Sequence, residues 1–284
     1  MPPRSTPTER QRRLGAELRK MRIAADASTE YAAGLLGLDR AKISNVEAGV
    51  RSITPERLRT LACNYECHDK AYVDALADMA ADRSRGWWES YRGQLSAGLL
   101  DIAELEWHAR RLRVGIAMHV PGLIQTDAYA RTLFAAALPV LSEDEIELRV
   151  ALRMQRQQIL YKSDPVEYAA YIHEAALRVE FGGVKVIRAQ LDRLCELSGR
   201  DNVDVRVVPF KAGAFPGAGQ AVIYAEGVVP QLDTVELDSA HGPEFAHAES
   251  QLAKYHAHLE WMERASLGSE ESRDFIQKIA REHR

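Results

Sequence analysis

Nowhere in the 284 residues is there a run approaching the roughly 18–20 continuous apolar residues of a membrane helix, so no membrane span is expected. The first residues, MPPRSTPTERQRR, lack the apolar core of a signal peptide, and the expected location is cytoplasmic. Only three cysteines are present, Cys63, Cys67 and Cys195, too few and odd in number for a secreted disulfide framework. No HExxH or CxxC framework accompanies the late histidines His241, His247, His256 and His258, and Cys63, Cys67 and His68 have no second ligand pair. No metal and no cofactor is therefore expected. The glycine-rich stretch from Gly213 to Gly219 is not followed by Lys-Ser/Thr, which argues against a phosphate loop and for a turn between strands. No GxSxG nucleophile is present, and no catalytic residue is assigned.

What is there is core material and an uneven distribution of charge. Hydrophobic residues make up 46% and charged residues 27%, a balance that supports an ordered protein of two domains. The net charge of −4 divides unequally. Residues 1–60 carry 12 Lys/Arg against 7 Asp/Glu, and the remainder 25 against 34. A basic head on an acidic body is the electrostatic outline of a nucleic-acid-binding segment joined to one that does not bind nucleic acid.

The expected division is a flexible tail over 1–10, an all-α head of five helices over 11–83, and a larger body over 84–284. In the head, Leu14, Leu18, Met21 and Ile23–Ala24 form an apolar stripe at helical spacing. Ser28 or Thr29 caps a second helix through Leu36, and Gly37 supplies a tight turn. Asp39 caps a third helix over 40–48 that Gly49 ends. Thr54-Pro55-Glu56 opens a fourth, and His68–Arg83 reads as a fifth. Two short helices joined by a glycine, with Ala33 inside the first and Ile43 and Val46 inside the second, form a helix-turn-helix. At about 100° per residue the side opposite Ile43 and Val46 carries Ala41, Ser44, Asn45 and Ala48, flanked by Arg40 and Lys42. Small and hydrogen-bonding side chains with flanking cations suit the major groove, so Arg40, Ala41, Lys42, Ser44 and Asn45 are the expected base-reading residues. Arg51, just past the helix, is expected on a phosphate.

These residues, over about Leu14–Leu61, resemble the Xre/phage-repressor class of helix-turn-helix proteins. The resemblance implies a structural ion pair between Arg22 and Glu47, which assigns Glu47 to support and not to base reading. The class often has Gln where this chain has Thr29. Thr29 still reaches a phosphate, with a shorter arm.

In the body, helices are expected from about Arg92 through Leu112 and over 127–138, 142–161, 184–198, 244–265 and 269–282. Strands are expected at 114–120, 166–173, 203–209, 219–225 and 231–238. Alternating strands and helices predict an α/β or α+β body with one mixed sheet. Ser142 with Glu145 three residues later reads as a capping box. Trp87 and Trp88 carry two readings, as core anchors or as the lining of a pocket or partner surface. The segments WWESYRGQL, VPGLIQTDAYAR, LRMQRQQIL, HEAALR and VVPFKAGAFPG resemble the C-terminal domain of a large family of toxin–antitoxin-like Xre-type regulators from GC-rich bacteria. That resemblance implies a regulator paired with a small protein encoded nearby.

The expected function is sequence-specific transcriptional regulation by a homodimer on a palindromic double-stranded operator. One alternative is a metabolite-sensing regulator with a ligand pocket in the body, and another is an enzyme with a DNA-targeting head. Clustered ionisable groups in a pocket would mark the enzyme.

Overall fold

The computed structural model describes residues 6–239 and 241–283. The chain divides into two compact units, Met1–Trp87 and Trp88–Arg284.

The first unit is all-α: α1 (Glu9–Ala24), α2 (Thr29–Leu36), α3 (Arg40–Glu47), α4 (Pro55–Asn64) and α5 (Lys70–Ala81). Every one of these helices starts on a side-chain cap that accepts an otherwise unpaired backbone N–H. Thr8 and Gln11 form a reciprocal capping box for α1, Ser28 caps α2, Asp39 caps α3, Thr54 caps α4 ahead of Pro55, and Asp69 caps α5. Residues 1–5 of the expected tail lie outside the described residues. The rest of it departs from expectation, because the Thr8 cap starts α1 at Glu9. The core of the unit gathers Leu18, Met21, Ile43, Leu58, Leu61 and Leu76. Ile23, expected in the apolar stripe of α1, is 58% exposed. The buried face of that helix runs through Leu18 and Met21, and a residue two places further on turns away from it.

A 3-10 turn over Trp87–Tyr91 straddles the boundary, and the second unit continues with α6 (Ala97–His108) and β1 (Arg111–Ile116). There follow α7 (Asp127–Ala135), α8 (Glu143–Arg156), β2 (Glu167–His173), α9 (Glu174–Arg178), α10 (Val184–Leu197) and β3 (Val203–Val208). The chain ends with β4 (Val222–Glu226), β5 (Thr234–Ser239), β6 (Gly242–Ala246), α11 (Glu249–Ala265) and α12 (Ser269–Glu282). The strands form one six-stranded mixed sheet in the order β3-β2-β1-β4-β5-β6. β1, β2 and β3 are parallel, and β4, β5 and β6 continue antiparallel from β1. Val114 of β1 sits between Ala170 of β2 and Ile223 of β4. Helices cover both faces, which is why the parallel strands read as continuous apolar runs. On one face Leu112, Val114 and Ile172 pack with Leu191 and Leu194 of α10 and Ile276 and Ile279 of α12. On the other, Tyr171, Tyr224 and Val235 pack with Leu259 and Met262 of α11. Among the described residues no helix is long and apolar enough to cross a membrane.

Several boundaries differ from the sequence reading. The helix expected through Leu112 stops at His108, because Arg111 already pairs with Glu167 and Glu226 in the sheet. The strand expected at 114–120 ends at Ile116. The helix expected over 142–161 ends at Arg156 and tightens into a 3-10 turn over Gln157–Leu160. Its capping box is half formed: Ser142 accepts the Glu145 N–H, but the Glu145 carboxylate accepts from Arg149 at 2.6 Å. The strand expected from 231 begins at Thr234, after a 3-10 turn at Pro230–Leu232. The helix expected from 244 begins at Glu249, because the preceding residues pair with β5 as the edge strand β6.

Candidate nucleic-acid interface

α2 ends on Gly37 in the left-handed conformation, φ +62°, and the Leu38 N–H folds back onto the Ala33 carbonyl at 2.9 Å. That reversal, natural for a residue without Cβ, aims α3 across the end of α2. Only Ile43 and Val46 of α3 are buried. Arg40, Ala41, Ser44, Asn45 and Ala48 are exposed, and their spacing places them on the outward side. Lys42 is half-buried on the flank, where its ammonium pairs with Asp39 at 2.8 Å and holds that carboxyl below the usual carboxylate range. Arg40 pairs with Glu30 at 3.1 Å, both in open solvent, so the contact is easily exchanged for another anion. Thr29 is half-buried at the first turn of α2, where its hydroxyl donates to Glu30 at 3.1 Å. Arg51 is exposed beyond α3, and its backbone N–H donates to the Asn45 carbonyl at 3.0 Å.

Behind this surface, Arg22 and Glu47 meet as a bidentate pair at 2.6 and 2.9 Å, with side chains 12% and 9% exposed. Arg22 also donates to the Ala27 carbonyl at 2.8 Å, so one guanidinium joins α1, the α1–α2 turn and the end of α3. The hydrogen bond from Arg22 to Glu47 raises the arginine's pKa further above its ordinary value. A second buried set holds α1 to α5: Arg13 pairs with Glu17 at 2.7 Å, and the Tyr72 hydroxyl donates to Glu17 at 2.5 Å.

The sequence reading missed the glycine that sets how close α1 lies to α3. A Cβ on Gly15 would stand 2.5 Å from the Glu47 carbonyl oxygen and 2.6 Å from that of Val46. The available signal was a glycine inside a helical pattern, which costs about 1 kcal/mol against alanine and points to a close approach.

Residues 13–76 match the family model of a helix-turn-helix domain. Residues 99–278 match the model described as a domain of unknown function, DUF5753. The chain belongs to the DUF5753 family. No curated protein and no solved structure matches it.

In the second unit, Trp88 is buried and packs against Trp107, ring centroids 6.1 Å apart, as the core-anchor reading has it. Trp87 is half-buried at the unit boundary. Cys63 is exposed, Cys67 and Cys195 are half-buried, and all three are free thiols. Among the described residues no three His, Cys, Asp or Glu side chains are grouped to hold a metal ion. Between β3 and β4 a 3-10 turn over Phe210–Ala212 precedes the glycine-rich stretch, which itself forms a second over Pro216–Gly219. The DUF5753 interior also holds ionisable side chains that the sequence reading did not single out: Glu106 of α6, Arg156 of α8 and Glu236 of β5, with Arg153 of α8 partly buried beside them.

Proposed function

We propose that this protein is a sequence-specific transcriptional regulator that binds double-stranded DNA through α3, as a homodimer on a palindromic operator. The observation that carries the reading is the exposed side of α3. A helix held by two aliphatic residues presents Arg40, Ala41, Ser44 and Asn45 outward, where a solvated helix would more often carry Glu and Lys. Arg40 forks onto guanine, Asn45 pairs with adenine, and Ala41 meets a thymine methyl. Lys42, on the flank, keeps to the groove edge. Thr29 and Arg51 contact phosphates and set the register without reading sequence.

One helix of this length reads only a few base pairs, too few to distinguish a site from its genomic competitors. Two copies related by a two-fold axis read both halves of a palindrome, about one helical turn apart. No catalytic step is assigned to either unit. Selection of duplexes from a randomised pool by the full chain tests the reading. The expected result is a palindromic motif bound with affinity that falls steeply with salt, by a protein that sediments as a dimer. Recovery of a pool without any shared motif overturns sequence specificity, and tight binding of a single half-site by a monomer overturns the dimer.

A further inference from the structure

Buried charges in the second unit come in two kinds. Arg156 and Glu106 form a closed bidentate pair, 2.7 and 2.5 Å, nearly sealed from solvent. One helical turn earlier on α8, Arg153 has no such partner. Its Nη1 donates to the side-chain oxygen of Gln125 at 2.7 Å, and the guanidinium lies over the Phe134 ring at 4.8 Å. Its Nε is buried without a hydrogen-bond partner. Among the described residues no carboxylate lies within the 4.0 Å of an ion pair with it. Loss of hydration pulls the guanidinium's pKa down to about 9, which still leaves it charged at neutral pH. Yet Arg153 keeps part of its surface accessible and is not sealed in the core. Close enough to share its field, Glu236 of β5 is 4% exposed, with no hydrogen bond to its carboxyl among the described residues. Burial, with Asp238 nearby, pushes that carboxyl up to about 8, so it holds its proton at neutral pH.

The position is one where α/β folds place ligands. Strand order reverses at β1: the chain moves outward through β2 and β3 on one side, then returns to build β4, β5 and β6 on the other. Gln125 comes from the segment that leaves the carboxyl end of β1, the end at which such folds open a crevice.

The geometry points to a binding site for a small hydroxy- or amino-carboxylate, its carboxylate held by Arg153, which Gln125 positions, and its hydroxyl or amine by Glu236. A charged guanidinium largely withdrawn from water, with no carboxylate in contact, is costly, and an incoming anion completes it. One planar guanidinium matches a single carboxylate. A phosphate dianion needs more donors than these and would face Glu236 and Asp238. The site stands independently of the DNA reading, since every group in it belongs to the second unit.

Thermal unfolding of the full chain with millimolar L-lactate, L-malate, L-glutamate, propionate or inorganic phosphate tests this. At least one of the first three is expected to raise the unfolding temperature more than propionate or phosphate does. Arg153→Met is expected to abolish that rise while melting close to the wild type without ligand, because relief of the unpaired charge offsets the partner lost by the Gln125 oxygen. Should Arg153→Met not fold, Glu236→Gln, which keeps shape and neutrality, is expected to lower the affinity for the hydroxy or amino acid about tenfold, leaving propionate unaffected. The proposal is overturned if none of the three shifts the wild type, if phosphate shifts it most, if Arg153→Met melts well below wild type or responds like it, or if Glu236→Gln leaves the affinity unchanged.

Discussion

The two units bury charge differently. In the first, each interior cation has an anion in contact: Arg22 with Glu47, and Arg13 with Glu17, which also accepts from Tyr72. The groups proposed to face the bases lie outside, on α3. In the second, Arg156 is closed by Glu106, while Arg153 and Glu236 remain open toward the interior. A closed buried pair holds elements in register and does nothing further. An open one keeps binding capacity in reserve. The contrast assigns the first unit's chemistry to its surface and the second unit's to its inside.

Gly15→Val is the severest way to break the closed side of the comparison. Its side chain would press on the Val46 and Glu47 carbonyls, which cannot swing away as a flexible side chain can. A loss of about 4 kcal/mol or more is expected. Hydrogen exchange should show protection lost over 9–81 and kept in the sheet. Protection retained throughout would mean that α1 can stand off from α3 without cost.

Glu47→Ala strands Arg22 and is expected to destabilise the first unit by about 3 kcal/mol, with DNA binding lost in consequence. Denaturant unfolding of the full chain measures the first effect, and binding at low temperature, where the unit is folded, separates the second. A variant as stable as wild type that no longer binds would place Glu47 on the DNA.

For the open side, Glu236→Gln makes stability less dependent on pH. The folded carboxyl has its pKa raised from 4.5 to about 8, chiefly by burial. A raised acid is fully favourable below its unfolded pKa, and that contribution is lost as pH rises through the folded value. Wild type should therefore weaken relative to the glutamine variant between about pH 4.5 and 8, by on the order of 2 kcal/mol or more, and the gap should level off above that range. Parallel melting curves at pH 5, 7 and 9 check it, and a gap that does not grow with pH refutes the burial of a protonated carboxyl.

Arg51→Ala is the mildest change. It removes one exposed cation and should weaken all DNA sequences alike by about 1 kcal/mol, reducing the salt slope by about one. A change confined to one base position would make Arg51 a reader of sequence.

The first unit was legible because its rules are local. Ser28, Asp39 and Thr54 with Pro55 announce helix starts, and Gly37 announces the turn. Ile43 and Val46 fix which side of α3 is inside. Gly15 was legible only as a glycine out of place in a helix, since its role depends on two carbonyls some thirty residues away. The Arg22–Glu47 pair was reached through resemblance, because a spacing of 25 residues carries no periodic signal. In the second unit the apolar strands were visible and their edges were not. Arg111 and Arg113 look like a continuing helix, yet Arg113 is accommodated inside the sheet by Glu263 at 3.1 Å and by the Tyr171 ring. β6 contains Gly242, Pro243 and Glu244, residues that strands disfavour except at an edge. The setting of Arg153 was hidden for a tertiary reason. Arg149, Arg153 and Arg156 on one amphipathic helix read as a solvated stripe, until α6 and β5, distant in sequence, close over part of it.

The most direct test of the DNA reading compares wild type with Asn45→Ala on duplexes selected from one randomised pool. Asn45 is exposed on α3, touches nothing that holds the fold, and reads adenine in the proposed docking. The account predicts an unchanged melting temperature, a loss of about 1–3 kcal/mol at the preferred site, and a relaxed ranking at one or two base positions in each half-site. An unchanged ranking of sites would contradict it, and would take α3 out of the groove.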